Sequence, residues 1–153
     1  MKGHYTLFFV ALLLVACNGV KKDSPIEEAF SPESERDLNI NCFQYVNDQD
    51  TIKLSTEIDG TSVTGTLDYL FYEKDKTFGT IQGEVRDNLL IAEYNYLAEG
   101  DSSTRQVVFK KTTEGWEEGF GEMKVVDGVP VQVNLDSLDY SNSYELSPVP
   151  CDL

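Results

Sequence analysis

The sequence predicts an all-β domain, an antiparallel up-and-down meander of about eight strands closed into a small lipocalin-like barrel, with a two-sheet sandwich as the alternative. Three observations carry this. From Asn41 onward no stretch keeps a helical period over a useful length, and apolar residues alternate with polar ones instead. The alternating stretches are short, and turn pairs such as Asp59-Gly60, Asp87-Asn88 and Asp127-Gly128 separate them. When neighbouring stretches are folded about the first two of these turns, the apolar residues of both fall on one face, as a sheet with one buried side requires.

Taken in order, Cys42 to Val46 reads as a short first strand and Asn47-Asp48-Gln49-Asp50 as the turn after it. Thr51 to Ile58 and Thr61 to Glu73 follow, joined by Asp59-Gly60. A two-residue loop there sets Ile58 opposite Thr61, Leu54 opposite Gly65 and Ile52 opposite Leu67. Ile52, Leu54, Ile58, Val63, Leu67, Tyr69 and Phe71 then share one face. Lys74 to Thr77 turns the chain into a strand from Phe78 to Arg86. Asp87-Asn88, both tolerant of the left-handed conformation, leads into Leu89 to Ala98. This hairpin puts Val85 opposite Leu90, Gly83 opposite Ala92 and Ile81 opposite Tyr94. Glu99 to Ser103 reads as a loop, and Thr104 to Lys111 as a strand with Arg105, Val107 and Phe109 in phase.

Thr112 to Gly115 turns the chain into Trp116 to Val126. The last hairpin fails the two-residue test, because Lys124 would face Val131. A three-residue loop, Val126-Asp127-Gly128, with a bulge at Gly128 brings Met123 opposite Val131 and Val125 opposite Val129. Val129 to Leu135 is then the closing strand, where Pro130 is tolerated only at an edge or a strand start. Asp136 to Tyr144 has room for a helical turn, and the tail returns Cys151 towards Cys42.

The chain begins differently. Lys2 precedes an apolar run from Tyr5 to Ala16, and the small Ala16 stands before Cys17. This is the pattern of a secretory signal peptide, and the run is short of the roughly 20 residues a membrane-spanning helix needs. Leu14-Val15-Ala16-Cys17 resembles the lipobox of bacterial lipoproteins. The resemblance implies cleavage before Cys17, acylation of Cys17 (palmitate among the chains) and a mature protein tied to a lipid bilayer in the cell envelope. The expected site is the outer membrane, on its periplasmic or surface face. Residues 1–16 are thus the leader, residues 17–39 the lipidated cysteine with a flexible tether, and residues 40–153 a single all-β domain. Ser24-Pro25, Ser31-Pro32 and the acidic Glu27-Glu28 and Glu33-Ser34-Glu35 mark the tether.

The formal net charge is −15, and loss of Lys2 with the leader makes the mature chain more acidic still. Such a balance excludes a nucleic-acid surface, which needs a basic face, and favours solubility and attraction to cationic partners. Of three cysteines, Cys17 goes to lipid. Cys42 and Cys151 remain, to pair across nearly the whole domain in an oxidising envelope or to stay as buried thiols. The only histidine, His4, lies in the leader. The mature chain therefore offers neither a Ser-His-Asp nor a Cys-His nucleophile system, and nothing for a common zinc site. A non-enzymatic protein without cofactor or metal is the expectation. Asn47 to Asp50 lacks the spacing of an EF-hand, and no pair of carboxylates stands out as a glycosidase couple.

The predicted inner face is rich in rings: Tyr69, Phe71, Tyr94, Tyr96 and Phe109, with Trp116 and Phe120 as further candidates. Gly65, Gly83 and Ala92 lie among them. Two readings follow. Either Tyr69, Tyr94, Tyr96 and Arg105 line a pocket for a small amphipathic ligand, or the small residues seat the rings in a filled core. Arg105 points inwards near a strand end and needs a carboxylate; Glu73, Glu93 and Glu99 are the candidates, in an anion site or a structural plug.

The run CFQY, DTIKL, GTLDYLFYEKD, GTIQGE, IAEYNYLAEG and STRQVVF, over roughly residues 42–109, resembles a group of small bacterial (Bacteroidota-type) lipoproteins. That implies compartment and fold, and no mechanism. The architecture is similar in outline to lipocalin-like barrels and to the β-barrel lipoproteins that inhibit lysozyme. The second likeness makes an acidic module capturing cationic proteins the alternative function.

Overall fold

The computed structural model describes residues 40–151; the expected leader, lipidated Cys17 and tether lie outside the described residues. The strands are β1 (Ile40–Val46), β2 (Thr51–Asp59), β3 (Ser62–Leu70), β4 (Thr77–Arg86), β5 (Leu89–Ala98), β6 (Asp101–Lys111), β7 (Trp116–Glu118), β8 (Met123–Val126), β9 (Val129–Gln132) and β10 (Glu145–Val149). Eight of them close an antiparallel barrel in the order β1-β10-β7-β6-β5-β4-β3-β2, while β8 and β9 form a separate two-stranded sheet. The barrel is the predicted meander, and the sandwich is ruled out by the pairing of β1 with both β2 and β10.

Turn chemistry sets the registers. Asp87 and Asn88 both take positive φ, 49° and 65°, as a type I′ loop demands, and the predicted pairs Val85–Leu90, Gly83–Ala92 and Ile81–Tyr94 all form. The β2–β3 hairpin differs by two residues from the expected register. Its loop is Gly60-Thr61, with Gly60 at φ 62°, and the pairs are Ile58–Val63, Leu54–Leu67 and Ile52–Tyr69. Glycine at the first central position favours the type II′ geometry. A slip of two keeps every side chain on its own face, so the predicted inner face survives the correction. Glu99-Gly100 is likewise a two-residue turn, so β6 starts at Asp101 rather than Thr104.

The closing strand is where sequence and structure part. Trp116 to Val126 is not one strand: the chain leaves the barrel after Glu118, makes the β8–β9 hairpin and a 3-10 turn at Leu135–Ser137, and re-enters as β10. The bulge expected at Gly128 is also absent. Asp127 and Gly128 form a two-residue loop with φ 50° and 86°, and Lys124 does face Val131. The face test fails here because its premise does not hold: Met123 to Val126 are all exposed, so no buried side selects the register. Pro130 sits in β9, outside the barrel ladder. This excursion covers part of the outer wall. Gln132 N–H donates to Gln106 Oε1 at 3.0 Å, and the outward-facing Val108 is fully buried.

One end of the barrel carries tight turns: Gly60-Thr61, Asp87-Asn88 and Thr112 to Gly115. There Cys42 and Cys151 are disulfide-bonded, their Cα atoms 5.3 Å apart across 109 residues of sequence. Above them Ile52, Leu54, Leu67, Ile81, Leu90, Phe109 and Leu146 fill the interior, each 2 % exposed or less. Each buried aliphatic or aromatic chain of this kind contributes about 1.5–3 kcal/mol.

The bond fastens β10, which pairs with β7 only at Glu145 and Leu146, to β1. Replacing both cysteines by alanine is expected to lower unfolding free energy by about 2–4 kcal/mol, from the long loop that is released. Urea unfolding of the oxidised protein and the double variant measures it.

Candidate functional site

At the opposite end the barrel is open. The long β3–β4 loop and the excursion after Glu118 border a cup of ≈ 620 Å³, lined by side chains from Tyr69 to Tyr144. All four residues singled out for ligand binding, Tyr69, Tyr94, Tyr96 and Arg105, line it together. Its volume lies within the range of small-molecule sites.

The floor is a hydrogen-bonded triad. Arg105, inward on β6, donates from both Nη1 and Nη2 to Glu118 Oε1 at 3.2 Å. Tyr69 on β3 donates its hydroxyl to Glu118 Oε2 at 2.6 Å and accepts from Arg105 Nη2 at 3.1 Å. The guanidinium also lies over the rings of Tyr69 and Tyr94, 5.5 and 5.7 Å from their centres. Glu118 is 2 % exposed and Arg105 27 %. The carboxylate is therefore sealed under the floor, and the guanidinium faces the cup.

Sequence reasoning found the arginine and missed its partner. Glu73 lies in the β3–β4 loop at the rim, Glu93 faces outwards beside Asn95, and Glu99 is a turn residue. The signal for Glu118 was present: it shares the parity of the buried Trp116 two residues before it. That signal was obscured by reading Trp116 to Val126 as one long strand.

Above the floor the wall is a continuous chain of rings. Tyr45 meets Tyr144 (4.7 Å between centres), Tyr144 meets Phe71 (5.7 Å) and Phe71 meets Tyr69 (5.8 Å). Tyr69 meets Tyr94 edge-on at 5.9 Å, and Tyr94 stacks on Tyr96 at 4.8 Å with planes 17° apart. The Tyr94 hydroxyl donates to Thr77 Oγ1 at 3.0 Å. Lys74 caps Phe71 from the rim, 5.4 Å from its centre. Phe120, expected on the inner face, is 42 % exposed and stands at the mouth. Trp116 and Phe109 belong to the filled core below.

The small residues do not enlarge the cup. A Cβ at Gly79 would run into the Asn95 backbone and stand 2.8 Å from Tyr94 Cε2, so this glycine seats the Tyr94 ring. Gly65 and Gly83 are closed off by the backbones of Ser55 and Ile91. The aromatic face is thus divided: rings and glycines pack the lower barrel, and rings line an open mouth above it. A second cleft, ≈ 570 Å³, opens between β6 and the β8–β9 hairpin and meets the cup at Tyr96 and Arg105.

Among the described residues no group of three or more His, Cys, Asp or Glu is placed to hold a metal ion. The Asn47 to Asp50 turn uses its own polar atoms: Asn47 Oδ1 accepts from the Gln49 and Asp50 amides, and Asp50 Oδ1 accepts from the Tyr72 amide at 2.8 Å. Comparison with family models, with curated proteins and with solved structures gives no significant match.

Burial pushes the Glu118 carboxyl up, against the pull of Arg105 and the Tyr69 hydroxyl. Burial, then the neighbouring Glu118 charge, pushes Tyr69 well above its ordinary range, and burial pushes Tyr94 up to about 12.

Glu118→Ala strands the Arg105 charge and is expected to cost about 3 kcal/mol. The triple change Arg105→Met, Glu118→Leu, Tyr69→Phe removes every partner at once and is expected to stay within about 1 kcal/mol of the parent. Denaturant midpoints at constant m separate the two. Tyr94 gives an alkaline signature. Its folded pKa lies above the unfolded value of about 10, so the folded state holds the extra proton between the two. That stability is complete below pH ~10 and is lost as pH rises towards about 12. Tyrosinate absorbance on the folded and unfolded protein should show this step moving from about 12 to about 10.

Proposed function

We propose that this chain is a non-enzymatic lipoprotein of the cell envelope, held to a membrane through Cys17, whose barrel mouth binds a small amphipathic ligand. The observation that carries the binding reading is the half-filled barrel: a close-packed lower core beneath an open cup walled by rings and floored by Arg105. A domain of this size has little interior to give up. Leaving its most aromatic layer open forgoes burial that a packed barrel would gain, and a ligand would restore it. The charged floor gives such a ligand an orientation, apolar faces to the rings and a polar edge to the guanidinium. The anchor rests on Leu14-Val15-Ala16-Cys17 and its resemblance to a lipobox. The acidic surface also suits a cationic protein partner, and association that falls steeply with salt is the mark of that second reading. The cup, however, has the defined shape.

Native mass spectrometry of protein purified gently from membranes is expected to show one small molecule per chain, released on unfolding. Protein that arrives empty and takes up no member of a broad small-molecule panel contradicts the binding reading. Cys17→Ser is expected to abolish incorporation of labelled palmitate and to move the protein out of the membrane fraction.

A further inference from the structure

The cup's dimensions and charges narrow the ligand, an inference that rests on the binding reading above. Depth comes first. Tyr94 and Arg105 each lie four residues from the mouth end of their strands, Ala98 and Asp101, or about 13 Å of strand. From Arg105 the layer runs to Glu118, the last residue of β7, and to Tyr69, one residue from the mouth end of β3, and so crosses the interior. Leu67, Ile81, Leu90, Phe109 and Leu146 lie beneath it, each 2 % exposed or less, and none lines the cup. An extended acyl chain entering the mouth would meet a charged floor rather than a greasy tunnel, and would have to desolvate an ion pair to go further.

Charge comes second. The side chains lining the cup carry three acids, Glu73, Asp75 and Glu118, against Lys74 and Arg105. Arg105 is neutralised by Glu118 at contact distance, and the whole chain carries −15. An anion gains nothing from such a site.

Donors come third. The guanidinium has five N–H donors, and three serve Glu118 and Tyr69. The remainder belong to a side chain that is partly open to the cup. The carboxylate oxygens opposite them are buried and already accept. The floor therefore offers donors to a ligand and asks for acceptors. Tyr96, partly exposed and held flat by its stack on Tyr94, supplies a ring-sized platform on one side, with Phe71 and Tyr144 among the other lining rings.

We propose that the cup accepts a compact, uncharged ring molecule that lays an apolar face on Tyr96 and points oxygen acceptors at Arg105, and that it rejects acyl chains and anions. A sugar ring and an aromatic ring with a carbonyl or hydroxyl share this chemistry.

The test is an NMR titration of the full chain, following the Arg105 Nε–H and the Tyr96 ring, with four probes: methyl glucoside, benzamide, palmitate and benzoate. Shifts at both groups with methyl glucoside or benzamide are expected, and which of the two binds identifies the source of the ring. Tyr96→Ala, a change at a partly exposed wall, is expected to weaken that binding about tenfold, the worth of one stacked ring. Palmitate or benzoate binding in the cup more tightly than both uncharged rings overturns this inference and leaves the binding reading intact. Ring binding that is indifferent to Tyr96→Ala also overturns it. Silence from the cup with all four probes overturns this inference, and with an empty protein by native mass spectrometry the binding reading falls too.

Discussion

The contact between Arg105 and Glu118 divides this barrel in two. A buried carboxylate is costly to hold, and here two guanidinium nitrogens and the Tyr69 hydroxyl satisfy it. Because these three groups come from β3, β6 and β7, they lie across the interior and not along one wall. The turn side of them is packed with apolar side chains, with Thr56 a buried polar exception whose hydroxyl donates to the Asn41 carbonyl at 3.4 Å. Everything on the loop side is ringed by tyrosine and open. The polar layer explains why the core stops where it does: aliphatic packing cannot continue through an ion pair that needs its donors met, so the remaining barrel height becomes a cup.

That division also sorts what the sequence could reveal. Wherever one face of a hairpin is buried, alternation assigns each residue to its face, and an unambiguous turn assigns its partner as well. Asp87-Asn88 gives the β4–β5 pairs without error, and the four candidate ligand residues converge as their parity implies. The β2–β3 hairpin shows the limit of the method. Asp59-Gly60 and Gly60-Thr61 are both acceptable loops, and a slip of two changes partners without changing faces, so the apolar pattern cannot tell them apart.

The excursion from Gly119 to Tyr144 was illegible for a different reason. Its strands have the composition of barrel strands, but Val125 is 70 % exposed and the hairpin lies outside the closed sheet. Sequence shows that a stretch prefers to be extended; it does not show which sheet the stretch joins. β7 has only three residues and β10 contains Pro148, so neither announces itself as a barrel strand. Glu118 was lost in the same place, since its role follows from β7 ending there.

The two ends of the barrel are built differently, and the chain order follows the division. Ile40 begins β1 at the turn end, where the disulfide also sits, on the side away from the cup. Binding at the mouth therefore need not disturb the bond that holds β1 to β10, nor the filled core between. Conversely, the loops that shape the mouth carry no ladder that closes the barrel, and tolerate length and charge that the turn end does not. Under the proposed binding reading, the cup's neutralised floor and aromatic walls suit a dissolved ring molecule better than an acyl chain drawn from a bilayer.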